Sequence, residues 1–177
     1  MTTHREPRRP EPAEYASSFA GYVAAVPDGD VMDLLGTQLT TLRAALAPLT
    51  AERGGHRYAE GKWSVREVVG HCIDTERIFV YRALRIARGD ATPLPGFDEN
   101  DYVMTAGSDA RSMADLLAEL DAVRAGTIAL FASLAPEAWG RVGVASGKEI
   151  SVRALAWITA GHVAHHLRIL RERYDVA

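Results

Sequence analysis

Four stretches of the chain repeat apolar residues at three- and four-residue intervals, and none alternates apolar and polar over the length of a strand. That pattern predicts helices rather than sheet. The first stretch runs from about Val31 to Leu46, with Leu34, Leu35, Leu39, Leu42 and Leu46 on one side and Asp28 or Asp30 as its N-cap. The second starts at Ser64 and stops near Arg88, ahead of Gly89. Its opening, Ser64-Val65-Arg66-Glu67, has the capping-box form, in which two side chains satisfy each other's free backbone N–H. The third opens near Ser112 with Asp115 in its first turn, and carries Met113, Leu116, Leu117, Leu120, Val123, Ile128 and Leu130. The fourth opens at Ser151 and reaches roughly Tyr174.

Between and before these helices the signals differ. Residues 1–14, with Pro7, Pro10 and Pro12 among charges, read as a mobile or surface-draped arm. Residues 15–177 read as one domain. Tyr15, Phe19, Tyr22 and Val23 form an apolar patch at helical spacing, closed by the turn signal Pro27-Asp28-Gly29. The link from Gly89 to Arg111 is long and holds the acidic run Asp98-Glu99-Asn100-Asp101. The stretch from Ala135 to Ile150 suits a short hairpin or an irregular loop. The expected fold is all-α: an up-down four-helix bundle with one or two long crossover connections.

Composition narrows the function classes. The chain has 177 residues, 47% of them hydrophobic, with a formal net charge of -3 and a pI of about 6.1. A nucleic-acid partner is not expected without a basic excess. No apolar run approaches the roughly 20 residues that span a bilayer, so no membrane partner is expected either. The N-terminus lacks the apolar core of a secretory signal. A single cysteine, Cys72, excludes an internal disulfide and fits a reducing cytoplasm. It falls in the apolar arc of the second helix, as a small hydrophobe rather than a nucleophile.

The fourth helix carries histidine where leucine is expected. With successive residues about 100° apart, His162 and His166 fall inside the stripe of Leu155, Ile158 and Ile169, while His165 lies on its flank near Glu172. Arg153 and Arg171 fall on the opposite, solvent side. Two imidazoles at i and i+4 project in parallel, the spacing that chelates one ion on a helix. The alternative is a pair of core-edge histidines, each with its own buried carboxylate partner. A metal site needs a third ligand, and His71 on the second helix is the candidate, since His4 and His56 fall in arm or loop. His71 sits at the edge of the apolar arc, in a sector shared with Ser64, Glu67, Thr75, Ile78 and Arg82. That sector reads as a cleft wall, or else as a solvated face on which Glu67, Asp74, Glu76 and Arg82 meet water. Glu67 is placed to accept from His71, in competition with its capping role. Three imidazoles around a divalent ion leave positions open, as in catalytic sites.

These residues resemble the DinB-like superfamily of metalloenzymes. The resemblance rests on Tyr22-Val23 through Val26-Pro27-Asp28-Gly29-Asp30, on Gly61-Lys62-Trp63-Ser64-Val65-Arg66-Glu67-Val68-Val69-Gly70-His71, on Arg82-Ala83-Leu84-Arg85-Ile86-Ala87-Arg88-Gly89-Asp90, and on Ala160-Gly161-His162 through His165-His166-Leu167-Arg168. It covers most of the chain after the arm. It implies a four-helix bundle, often a homodimer, holding zinc or nickel on His71, His162 and His166, with His165 a neighbour. It also implies, through relatives that are transferases and isomerases, a low-molecular-weight bacterial thiol such as bacillithiol or mycothiol as a partner.

Three functions follow as expectations. The first is a metal-dependent thiol S-transferase, with an electrophilic small molecule in the cleft between the second and fourth helices and Arg82, Tyr81 and the loop around Asp98 as candidate contacts. The second is a metal-dependent hydrolase with Glu67 or His165 as proton carrier. The third is a non-catalytic, stress-associated metal-binding protein. Trp63 is expected to pack or to staple the start of the second helix, Trp157 to pack, and Phe97 either to line the cleft mouth or to tuck onto the bundle.

Overall fold

The computed structural model describes residues 8–176. Seven α-helices lie among the described residues: α1 (Ala20–Ala25), α2 (Val31–Leu46), α3 (Ala51–Gly54), α4 (Val65–Ala87), α5 (Glu99–Ala106), α6 (Met113–Ala132) and α7 (Val152–Tyr174). The four long ones are the four expected from periodicity. Each begins at a side chain that accepts a backbone N–H: Asp30 from Met32, Ser64 from Glu67, Ser112 from Asp115 and Ser151 from Ala154. At the start of α4 the capping box is complete, because the Ser64 N–H donates to Glu67 Oε2 at 2.8 Å.

Helix α4 packs on α6 and α7, and α2 packs on the same two, so α2 and α4 sit across the bundle from each other. A four-helix bundle with crossover connections results. The hairpin alternative holds for residues 135–150: β1 (Val142–Ala145) pairs antiparallel with β2 (Lys148–Ser151). Its turn is Ser146-Gly147, both with positive φ (52° and 73°), as a two-residue turn of this kind demands. The long link from Gly89 to Arg111 contains α5 and a 3-10 turn over Ser108–Ala110. Asp98 caps α5 and Gly107 closes it in a left-handed conformation (φ 66°).

Met1 to Pro7, including His4, lie outside the described residues. The described part of the arm is draped on the bundle. Arg9 donates to the carbonyls of Val23 and Val26, both at 2.6 Å, and stacks over Trp157 with 4.5 Å to the ring centroid. Glu14 accepts from Ser151 and from Arg153, whose side chain is therefore largely covered instead of facing solvent.

The apolar interior forms two clusters. One joins Leu35, Phe79, Ala83, Trp157 and Ile158 to α1 and the hairpin, and the other joins Leu46, Val69, Ile73, Leu116, Leu120 and Leu170. Two polar sets also lie inside the bundle. One joins Glu76, Arg124, Thr127 and Gln38 by hydrogen bonds, and the other is the three histidines. No described helix is long and apolar enough to cross a membrane.

Candidate metal centre

The interface of α4 and α7 brings His71 onto the paired histidines of α7. Nε2 of His71 lies 3.0 Å from Nε2 of His162, and Nε2 of His166 lies 3.1 Å from that same atom. All three rings are buried (4%, 3% and 8% exposed). Glycines precede two of them. A Cβ on Gly70 would meet Ser108 Oγ at 2.1 Å, and one on Gly161 would meet the Tyr22 carbonyl oxygen at 2.0 Å. Their absence of side chains lets neighbouring segments close over the site.

Protons alone do not satisfy this cluster. His162 Nε2 carries either one N–H or one lone pair, so it makes one good hydrogen bond to its two imidazole neighbours and leaves the other contact unmatched. His71 Nδ1 is 3.4 Å from Thr75 Oγ1. A proton on that nitrogen leaves Nε2 as a lone pair pointing into the cluster. Donors around a tetrahedral ion with bonds of about 2.0–2.1 Å stand roughly 3.3–3.4 Å apart, close to the observed separations. Three imidazole nitrogens, all within 4.8 Å of one another, therefore fit a divalent cation.

Burial also keeps the rings in the ligand form. It pushes the His71 pKa down to about 4. It pushes His166 down to about 3, helped by the neighbouring charges of His71 and His165. His162 falls well below the ordinary range, again by burial first and then by its histidine neighbours. Neutral imidazoles at working pH are what a metal needs.

Two cavities flank the cluster. One, of about 340 Å³, is lined by His162, Thr75, Arg82 and the rings of Phe19, Tyr22, Phe79 and Phe97. The other, of about 240 Å³, is lined by His166, Trp63, Lys62, Ile169 and Tyr174. Asn100, in the first turn of α5, borders both.

The other residues singled out from sequence have other places. Glu67 does not hold His71: its carboxylate is taken by the Ser64 N–H and by Arg57 at 2.5 and 3.0 Å, so capping wins. His165 is half-buried beside Tyr22 and near Arg168, outside the cluster. Of the residues that the solvated-face alternative turned to water, Glu76 and Arg82 are buried, at 1% and 4% exposed. Tyr81 is half exposed and bonded to Arg85, away from the cavities. Phe97 lines the first cavity's mouth. Trp63 lies 4.8 Å, ring to ring, from His71, closer to the site than a helix staple requires. Cys72 is buried in the apolar cluster, and burial pushes its thiol up to about 12. Sequence reasoning missed Thr75 as the partner of His71, although its position one turn along the same face was a usable signal. Asn100 lies in the acidic run around Asp98 that the sequence marked as a candidate contact, although it was not itself singled out there.

Residues 34–170 match the family model of the DinB superfamily. Among solved structures, the chain is similar to YfiT from Bacillus subtilis, described as a probable metal-dependent hydrolase with an unusual four-helix bundle topology. The TM-score is 0.66 at 17% identity, over 96% of this chain and 97% of that one. It is also similar to a mycothiol-dependent maleylpyruvate isomerase, with a TM-score of 0.65 at 15% identity over 82% of this chain. The match spans 61% of the isomerase, so much of that protein has no counterpart here. No curated protein matches the sequence.

Proposed function

Because the chain belongs to the DinB superfamily, we propose that it is a metal-dependent enzyme in which His71, His162 and His166 hold one zinc or nickel ion. We further propose that it joins a low-molecular-weight thiol to an electrophilic small molecule. When bound, such an ion supplies Lewis acidity that lowers the proton affinity of a coordinated thiol or water.

The observation that carries this reading is the position of the cluster between two cavities, one meeting His162 and the other His166. A bimolecular transfer needs separate places for two substrates. Aromatic rings wall the first place, and Trp63 and Tyr174 wall the second. Thr75 Oγ1 faces His71 Nδ1, and the Tyr22 ring packs edge-on against the His162 ring, so both imidazoles have neighbours that fix their orientation. The second reading, a hydrolase, draws support from the likeness to YfiT along nearly the whole of both chains.

Metal analysis of untagged protein tests the site. About one zinc or nickel ion per chain is expected, and its loss in His71→Ala, His162→Ala and His166→Ala. A wild type that stays empty after incubation with both metals overturns the proposal. Turnover that requires added thiol supports transfer, and turnover indifferent to thiol assigns hydrolysis.

A further inference from the structure

Arg82 is a buried cation without a counter-charge. It is 4% exposed, and no carboxylate lies within 4.0 Å of it among the described residues. Its Nη2 donates to the Pro95 carbonyl at 2.7 Å and to Ser146 Oγ at 3.0 Å. Nε and Nη1 make no hydrogen bond among the described residues. Neither atom is sealed away, because the side-chain atom that is both buried and unpartnered there is Arg66 Nε. The free donors of Arg82 thus open onto the cavity it lines, beside His162 and the rings of Phe19, Tyr22, Phe79 and Phe97.

The surrounding chain is built to hold that guanidinium in place. Ser146 occupies a left-handed turn position at the hairpin tip (φ 52°), which a non-glycine residue adopts at some cost. The tip is tied to the link by Ser146 N–H to Leu94 O at 3.0 Å and Leu94 N–H to Val144 O at 2.8 Å. Both residues that anchor Nη2 are therefore fixed to the same framework. Burial without a partner charge pulls the Arg82 pKa down, yet arginine stays protonated, and the desolvation is relieved only when an anion arrives.

We propose that Arg82 anchors the anionic group of the substrate in this cavity, and that the substrate class is a small carboxylate with an apolar, ring-sized body. The carboxylate takes the charge-assisted donors of Arg82, and the body lies among the four aromatic rings. Asp98 and Glu99 border the same cavity from its exposed side. Asp98 Oδ1 already accepts from Asn100 and Asp101, and solvent screens both carboxylates more than it screens Arg82. This inference names one substrate of the site proposed above and rests on that reading for its chemistry, but its binding test stands apart from the metal.

Calorimetric titration with benzoate and with uncharged benzamide, into zinc-loaded and chelated protein, tests it. Wild type binds benzoate roughly tenfold or more tightly than benzamide in both states. Arg82→Gln abolishes the preference and Arg82→Lys keeps part of it. Equal affinities in wild type overturn the proposal, as does a preference that survives in Arg82→Gln. A preference that chelation removes places the anion on the metal and also overturns it. Inorganic phosphate binding more tightly than benzoate overturns the carboxylate class. If Arg82→Gln loses its helical signal, Arg82→Lys and the wild-type ratio still decide. An empty metal site with the benzoate preference intact sinks the enzyme reading and leaves the Arg82 anchor standing.

Discussion

Gly161 lies directly beneath the backbone of Tyr22: a Cβ there would sit 2.0 Å from the Tyr22 carbonyl oxygen and 2.5 Å from its carbonyl carbon. Helix α1 thereby reaches α7 at the turn that carries His162, and the Tyr22 ring meets the His162 ring edge-on at 5.4 Å. Backbone, unlike the end of a flexible side chain, cannot step aside. Gly161→Ala is expected to destabilise the protein by about 3 kcal/mol or more, a fall in Tm of roughly 6–12 °C for a domain of this size. Thermal unfolding followed by circular dichroism checks it. A drop smaller than about 2 °C would show that α1 is not held against α7 as described.

Metal removal is expected to lower stability without unfolding the bundle. Both apolar clusters are complete without an ion, so the helices do not depend on one. At an ion concentration about 100 times Kd the gain is about 2.7 kcal/mol, and chelation should lower Tm by roughly 5–11 °C while the helical signal at 25 °C is unchanged. Cooperative loss of helix on chelation would instead make the ion part of the fold.

How much of this was legible depends on how local each signal is. The caps Asp30, Ser64, Ser112 and Ser151 act within one turn of themselves, and the four long helices follow from them and from apolar spacing. The convergence on His71, His162 and His166 was legible because two of the three share one helix face. Glu76 and Arg124 stand 48 positions apart, and no spacing rule pairs residues at that distance. The polar sector of α4 was ambiguous for the same reason: Glu67 is drawn outward by Arg57, while Glu76 is drawn inward by Arg124. Helix α5 is short and polar, so its periodicity is faint, though Asp98 and Gly107 bracket it with start and stop residues. The docking of Arg9 and Glu14 depends on surfaces that exist only after the bundle forms.

The pair of Glu76 and Arg124 joins α4 to α6 inside the core. Arg124 donates from Nε and Nη2 to the two carboxylate oxygens at 2.7 and 2.8 Å, and from Nη1 to the Leu35 carbonyl at 2.9 Å. Thr127 Oγ1 donates to Glu76 Oε1 at 2.7 Å. Removing one partner strands a charge that is 1–2% exposed. Arg124→Met alone is expected to cost about 3–5 kcal/mol. Adding Glu76→Leu should recover much of that, because no stranded charge then remains, so the double variant should lose far less than the sum of the two singles. Denaturant midpoints of the two single variants and the double variant check it, and strictly additive losses would show that the two charges do not depend on each other.

Glu14 should make the stability of the docked arm depend on pH. Burial works to raise its pKa, but the Glu11 N–H, the Ser151 hydroxyl and the Arg153 guanidinium outweigh it, so the carboxyl lies below its ordinary value. A folded-state pKa below the unfolded one stabilises the fold above the unfolded value, about 4.3 for glutamate, and the gain is lost as pH falls through the folded value. Glu14→Gln is therefore expected to lower Tm at pH 7 by about 2–6 °C, from roughly 1–1.5 kcal/mol of charge-assisted bonding. The gap between variant and wild type should narrow below about pH 4.3, because the wild-type carboxyl is then neutral as well. Melting curves of both proteins from pH 7 to pH 3 check the sign. A gap that stays constant from pH 7 to pH 3 would mean that the Glu14 charge adds nothing and that the side chain contributes only as a neutral acceptor, the arm being held otherwise by Arg9 against Trp157 and the Val23 and Val26 carbonyls.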